Sequence, residues 1–402
     1  MSAQRFFPIA LPARGRFRPL AVACLLGGIL ALPSASAGQS LLAGAGLGIP
    51  ADPLDARTRA VGGVGVGMAG WSLSATDPAA IAGLVLPTIT ATMQPTRATL
   101  TDGRTAGHAW FPTIGVSYPL WRSVFSITLA SALDQRWEVI TPRLLDVNGT
   151  EVGAIDAYQS SGNVGRVQLG WATRLRESLA VGITVGSHVG VLERRFSRSL
   201  DPGSIGEGVE NFATQGRWRA SGLLGSAGVA WDPTDFLRLG AAVSWTDELR
   251  LTPSAATGGE AAAYSIPMEF RVGGSGTLAP GLLVMASLSY ADWTTVGEEL
   301  REGATRGAAW SYGGGVEWGR AAVMGRALPI RLGARRQELP FLREGVEASE
   351  TVLSAGAGFN LVEGEGETRA RIDLGIERGT RSAGDLSERF LRTSVTLRLS
   401  GG

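Results

Sequence analysis

From about Thr88 onward the chain alternates apolar with small or polar residues in segments of roughly ten, each ended by a turn. Near the C-terminus Ala370, Ile372, Leu374 and Ile376 share one parity, while Arg371, Asp373, Gly375 and Glu377 take the other. Successive strand side chains point to opposite faces, so such a strand has one apolar and one charged wall. A chain built almost wholly of these segments predicts an all-β fold. It suits a transmembrane antiparallel up-and-down β-barrel, with lipid outside and water or a polar plug inside.

About fourteen segments can be marked, within a range of twelve to sixteen strands. The first seven fall at Thr88–Leu100, His108–Tyr118, Arg122–Leu133, Asn163–Arg174, Leu179–Phe196, Gly216–Trp231 and Leu237–Leu251. The rest are Tyr264–Leu278, Leu282–Trp293, Ala308–Trp318, Leu328–Arg336, Ser349–Leu361, Thr368–Arg378 and Arg389–Ser400. Ile266, Met268, Phe270 and Val272 are assigned one face of the eighth, against Glu269 and Arg271. Trp310 and Trp318 share a parity and stand roughly 20 Å apart along the membrane normal, near the ~25 Å height of an apolar band. Trp110 and Tyr118 repeat that spacing and are expected on the same lipid-facing edges.

Connection lengths give an orientation. Tight turns at 119–121, 176–178, 232–235 and 279–281 alternate with longer links near 134–162, 198–212, 252–262, 296–307, 337–348 and 379–388. Short turns belong to the periplasmic side and long loops to the outside. Arg320–Ala327 is long for a periplasmic turn, and Trp137–Ile140 either starts a loop or extends the third strand.

Composition narrows the picture. No run after residue 37 approaches the ~20 apolar residues of a helical span. Glycine is abundant, with 57 residues, and much of it falls inside the strands, where it relieves crowding on a lumen wall. The net charge of +1 indicates neither a nucleic-acid partner nor a strongly charged substrate. At the start, Arg14, Arg16 and Arg18 precede an apolar stretch from Leu20 to Leu32 and the small-residue site Ala35-Ser36-Ala37. This reads as a signal peptide, 1–37, cleaved before Gly38. The only cysteine, Cys24, would leave with it, which removes disulfides, thiol chemistry and cysteine metal sites from the mature chain. His108 and His188 are the only histidines, with no partner at ligand spacing, so no metal or other cofactor is expected. Ser187 and His188 are neighbours on one strand and point to opposite walls, so they cannot act as nucleophile and base. No enzymatic activity is expected.

Residues 38–87 precede the barrel, 88–402. They carry Thr58-Arg59-Ala60-Val61-Gly62-Gly63-Val64-Gly65-Val66-Gly67-Met68-Ala69-Gly70, then Trp71 and Ser74-Ala75-Thr76-Asp77-Pro78-Ala79-Ala80-Ile81-Ala82-Gly83-Leu84. A phosphate-binding loop would need a following Lys-Ser/Thr and a βαβ context. The apolar Val61, Val64, Val66, Met68 and Trp71 call for burial and argue against a plain linker. This stretch resembles the opening of FadL-type long-chain fatty acid transporters, where an Arg-Ala-x-Gly stretch leads to Asn-Pro-Ala-Gly-Leu before the barrel. Arg59, Ala60 and Gly62 match the first part, and Asp77, Pro78, Ala79, Gly83 and Leu84 can be laid on the second. Asp77 replaces the more usual Asn, and Ala80-Ile81-Ala82 are extra.

The resemblance implies a fourteen-stranded barrel with this segment as an N-terminal hatch in the lumen. It also implies an outer-membrane channel, surrounded by lipid and monomeric, for hydrophobic small molecules such as long-chain fatty acids. The ligand would pass the hatch or leave through a gap in the wall. The hatch residues of interest are Arg59, Gly62, Gly65, Met68, Trp71, Asp77, Pro78 and Gly83. Inward-facing charges are expected at Glu269, Arg271, Glu317, Arg331, Arg371, Asp373, Glu377 and Arg392. They either satisfy one another and anchor the hatch, or hold an anionic head group. A barrel that binds a protein partner in secretion, and a general porin, are the competing functions.

Overall fold

The computed structural model describes residues 46–401, apart from 71, 101, 102, 104, 148, 149, 201–210, 301–306, 324, 365 and 366. The expected signal peptide and Trp71 lie outside the described residues. Fourteen antiparallel strands form the wall. In order they are β1 (Thr88–Leu100), β2 (Thr105–Leu120), β3 (Ser123–Asp134, with an outer arm Trp137–Val147), β4 (Thr150–Arg176) and β5 (Leu179–Leu200). Next come β6 (Phe212–Ser221 continuing as Leu223–Thr234), β7 (Leu237–Thr246, outer arm Leu249–Pro253) and β8 (outer arm Ala262–Tyr264, then Glu269–Ala279). The wall ends with β9 (Leu282–Asp292), β10 (Ala308–Trp318), β11 (Ile330–Arg343), β12 (Val346–Gly364), β13 (Glu367–Ala383) and β14 (Leu386–Ser400). The barrel closes where β1 pairs with β14, from Thr88↔Ser400 to Leu100↔Glu388. Closure joins the first strand to the last, as a spanning sheet requires.

The two-residue period separates two environments. On β13, Leu374 and Ile376 are 47% and 43% exposed, whereas Asp373 and Glu377, which flank them, are 5% and 2% exposed. A water-soluble sandwich would bury the aliphatic row and expose the charged one. Here the order is inverted, as lipid outside demands.

The strands run farther outward than the apolar rows suggest. Residues 134–162 are not a loop: the β3 outer arm pairs with β4 from Trp137↔Ser160 to Val147↔Thr150. The links expected at 337–348 and 379–388 are mostly strand, closed by tight turns. One of these is Glu344-Gly345, with both φ values positive at 52° and 77°. These outer segments lack a long apolar row, so periodicity alone did not extend into them. The 320–327 connection carries a small hairpin, Ala322–Val323 with Arg326–Ala327.

Two side chains sit on the face opposite to the expected one. Between β1 and β2 the register steps from Thr92↔Thr113 to Gln94↔Trp110, which places one extra residue in β2. Such a bulge reverses parity beyond it. Trp110 therefore turns into the lumen, and Phe111 takes the outward place at 57% exposure. Ile266 falls in the break between the two parts of β8 and packs inward. It meets a cluster built from Leu47, Leu133, Val164, Leu192, Leu249 and Val296. Val296 comes from α2 (Thr294–Leu300), which lies between β9 and β10.

Candidate functional site: a filled lumen, two chambers and a parted wall

Residues 46–87 meet the inward faces of the barrel strands. A short helix, α1 (Ala56–Ala60), starts at Asp55, whose side chain accepts from the Thr58 amide. This satisfies one of the donors that a helix start leaves open. The wall supplies further partners. The Ala56 amide donates to Thr396 Oγ1 at 2.8 Å, Gly62 N donates to Ser354 Oγ at 3.2 Å, and Ser275 Oγ donates to Gly67 O at 2.9 Å.

Glycine makes the contact close enough. A Cβ on Gly62 would lie 2.4 Å from the carbonyl oxygens of Ala334 and Gly314, and one on Gly67 would lie 2.5 Å from Gly273 O. The facing wall is itself glycine at 313, 315, 333, 240 and 273, so backbone lies on backbone. Both Gly62 and Gly67 also have positive φ, which side chains resist.

The remaining hatch residues take their places around this contact. Thr76 Oγ1 donates to Gly65 O at 3.1 Å, and Met68 packs with Val61, Val64 and Met285. Asp77 caps the 3-10 turn Pro78–Gly83, accepting from Ala79 N at 3.1 Å and from Gly67 N at 3.2 Å. Pro78 lies against Gly182 and Gly228, and Gly83 against the Arg174 guanidinium. Burial pushes the Asp77 carboxyl up to about 6, opposed by the amide of Gly67 and the charge of Arg238.

Glu269, Arg271, Glu317, Arg331, Arg371, Asp373, Glu377 and Arg392 fall into connected groups of ion pairs. Arg57 donates to both Glu317 oxygens at 2.9 and 3.0 Å, and Arg331 reaches the same carboxylate at 2.6 Å. Arg331 continues to Asp373 at 2.8 Å, which also pairs with Arg371. Arg59 and Arg392 both reach Glu377 at 3.2 Å. Glu269 holds Arg271 at 2.6 Å, and Arg271 reaches Asp52 at 3.3 Å.

The sequence reading missed the centre of this system. Glu350 accepts from Arg335 at 2.7 Å and from Arg381 at 2.6 Å, and Asp52 accepts from Arg335 at 2.8 Å. Arg381 lay in a segment read as loop. Its parity with Asp373 and Glu377 was the available signal. For Asp52, burial raises the carboxyl, but Arg271, Arg335 and Arg59 outweigh it and hold the group below its usual range.

Two chambers flank the hatch strand Ile49–Pro50. Pro50, Ala51, Asp52 and Gln337 line both, so this strand is the partition. The larger, about 130 Å³, is walled by Trp293, Ile266 and Leu133, with Arg166 and His188 at its polar side. Arg166 makes no hydrogen bond or ion pair among the described residues, and its Nε is buried without a partner. His188 Nε2 lies 3.3 Å from Thr246 Oγ1, while its Nδ1 is unpartnered. The other chamber, about 50 Å³, is polar, lined by Asp52, Arg59, His108, Trp110, Asp134, Arg136 and Glu350.

Beside this polar chamber the wall parts. β2 and β3 pair only from Leu120↔Ser123 up to Thr113↔Ala130. Above that point the β3 edge is taken by the hatch strand, through Pro50↔Leu133, Ile49↔Asp134 and Ala51 N to Ala132 O at 2.9 Å. β3 then breaks at Gln135-Arg136 before its outer arm. The parted strands are spanned by His108 Nε2 and Asp134 Oδ2 at 3.7 Å, and Arg136 lies 5.4 Å over the Trp110 ring.

Comparison with solved structures places this architecture. The Ralstonia pickettii toluene transporter TbuX aligns with a TM-score of 0.59 at 15% identity, over 88% of this chain and 99% of that one. A Pseudomonas aeruginosa FadL homologue gives 0.57 at 14% identity, over 89% and 99%. The Pseudomonas putida toluene transporter TodX gives 0.56 at 14% identity, over 88% and 98%. No family model matches the sequence, and neither does any curated protein. The shared property at such identities is the fold, that of FadL-type outer-membrane barrels.

Proposed function

We propose that this chain, a closed barrel of the FadL type with a filled lumen, is an outer-membrane channel for the uptake of hydrophobic small molecules carrying one polar or anionic end. The observation that carries this reading is the parting of β2 from β3 beside a chamber, with a second, apolar-walled chamber behind the hatch strand. A ligand would settle its apolar body against Trp293, Ile266 and Leu133 and its polar end toward Arg166. Long-chain fatty acids fit this description, and so do small aromatic carboxylates. The unpartnered Arg166 favours an anionic end over a plain hydrocarbon, because a guanidinium withdrawn from water gains most from a carboxylate. From there the path runs past Pro50–Asp52 into the polar chamber and out between the parted strands. The toluene transporters among the structural neighbours support the hydrophobic part of the reading.

The test is accumulation of labelled oleate and labelled toluene by cells that express the chain and lack competing channels. Expression should speed oleate uptake, and Arg166→Gln should reduce it several-fold while leaving toluene within about twofold. Equal rates with and without the chain, for both compounds, would discard the reading.

A further inference from the structure

On the outside of the barrel, four arginines end the lipid-facing rows of neighbouring strands. Arg97, Arg336, Arg378 and Arg389 are all exposed. Arg97, Arg378 and Arg389 each sit between two buried neighbours, and Arg336 stands opposite the outward Tyr312. Leu391 is directly opposite both Arg97 and Arg378, across the seam that closes the barrel. Arg389 is the next outward residue of β14, a diagonal neighbour of both at roughly 7–8 Å between backbone positions. Three guanidiniums thus surround one leucine. Arg336 lies in the row of Arg389, separated from it by Thr380 and Thr351, whose hydroxyls can also donate.

None of the four side chains has a hydrogen bond or ion pair among the described residues. Among the described residues, the nearest outward carboxylates stand farther out. Glu338 accepts from the Trp310 amide, and Glu347, Glu344 and Asp385 lie at or near the outer turns. Inward carboxylates on the same strands, Glu350, Glu377 and Glu388, are buried on the opposite face.

The height is informative. From Leu399 to Arg389, β14 climbs roughly 25 Å along the membrane normal, the full apolar band. The rows beneath are hydrocarbon: Leu353 at 66% exposure, with Leu374, Ile376 and Leu391 all exposed. The sector on β8–β10 is different, ending in Phe270, Tyr290, Trp310 and Tyr312. An uncompensated cationic triangle at headgroup level, above an aliphatic column, matches a ligand with phosphate above and acyl chains below.

We infer that the β1–β14–β13 face binds an acylated, phosphorylated lipid of the outer leaflet, of the lipid A type. Its phosphate is held by Arg97, Arg378 and Arg389, and its chains lie along Leu391, Leu353, Leu374 and Ile376. Arginine's planar fork binds phosphate through paired N–H donors, and the low dielectric beside hydrocarbon strengthens those bonds. The inference needs only that the barrel crosses the outer membrane with its long-loop end outward, so it stands or falls separately from the uptake reading.

The experiment is native mass spectrometry of the purified barrel in mild detergent with bisphosphorylated lipid A, with the same lipid dephosphorylated as comparator. Thermal unfolding with each lipid, and with inorganic phosphate, runs alongside. The variant is Arg97→Gln/Arg378→Gln/Arg389→Gln, and the control is Arg217→Gln/Arg250→Gln, exposed arginines elsewhere. Wild type and control should retain the phosphorylated lipid and gain thermal stability from it. The triple variant, with the same barrel spectrum by circular dichroism, should lose at least about tenfold in retention. Equal retention by the variant, or equal retention of the dephosphorylated lipid, would overturn the proposal. So would an equal thermal gain from inorganic phosphate, which would assign the arginines to a soluble anion. Oleate uptake in the variant should stay within about twofold of wild type.

Discussion

Asp77 shows how one residue can set a property of the hatch. It is 3% exposed, it caps the Pro78–Gly83 turn, and it holds Gly67 in place, yet no cation touches it. Its folded pKa, about 6, lies above the ordinary carboxylate value of 3.8. Ionisation therefore costs the folded state, and the cost is present at neutral pH. Stability should rise as pH falls from 7 toward 5, where folded Asp77 gains a proton that the unfolded chain does not yet hold. Asp77→Asn removes the charge and keeps the oxygen that accepts from Ala79 N, but turns its amide NH₂ toward Gly67 N. That lost contact is a constant cost; on top of it, the variant should gain about 1–2 kcal/mol relative to the wild type as pH rises from 5 to 7.5. Thermal midpoints of both proteins across that range check this; a constant difference would refute it. The substitution of Asp for Asn was visible in the sequence. Its burial without an ion pair was not, since that depends on which wall residues face it.

At the scale of elements, the decisive feature is the divergence of β2 and β3. The β1/β2 bulge turns Trp110 inward, and the hatch strand occupies the edge that β2 abandons. His108 and Asp134 then stand on opposite lips of the opening, 3.7 Å apart at their tips. Replacing both with cysteine and bridging them with a short bis-methanethiosulfonate, which forms two disulfides and releases two methanesulfinates, should tie the lips together. If ligand leaves between these strands, oleate uptake should drop at least several-fold and return on reduction. Uptake unchanged by the bridge would move the exit elsewhere. The strand pattern was legible here on both sides of the opening, but the opening itself was not. A strand with one wet and one apolar face reads the same whether or not its neighbour stays paired.

For the whole molecule, the proposed uptake role requires that residues 46–87 keep the barrel from acting as an open porin. Residues 46–87 are tied to the wall through Arg57–Glu317, Arg59–Glu377 and Asp52–Arg335, and backbone meets backbone along the glycine face. The intact protein should give no large, stable ion conductance in planar bilayers, and deletion of residues 38–86 should produce one. A porin-sized conductance from the intact chain would contradict the filled lumen. Buried ion pairs of this kind give modest net stability, but removing one partner strands the other, at about 3–5 kcal/mol. The groups therefore work chiefly as an address that fixes where the hatch sits.

The sequence alone determined the alternation, and with it the barrel, the inward charges and the approximate number of strands. Side-chain parity is local, fixed by the two-residue repeat of an extended backbone. It also marked Arg59, Gly62 and Asp77 as positions that can be laid on a family motif. The tertiary structure alone decided which residues became neighbours. Glu350 meets Arg335 and Arg381, the hatch strand borrows the edge of β3, and Arg97 joins Arg378 and Arg389 across the closure seam. Those relations depend on register, bulges and closure over hundreds of residues, which no local repeat records. If the aliphatic rows now turned outward were found packed against each other in water, every role assigned to the interior would lose its basis.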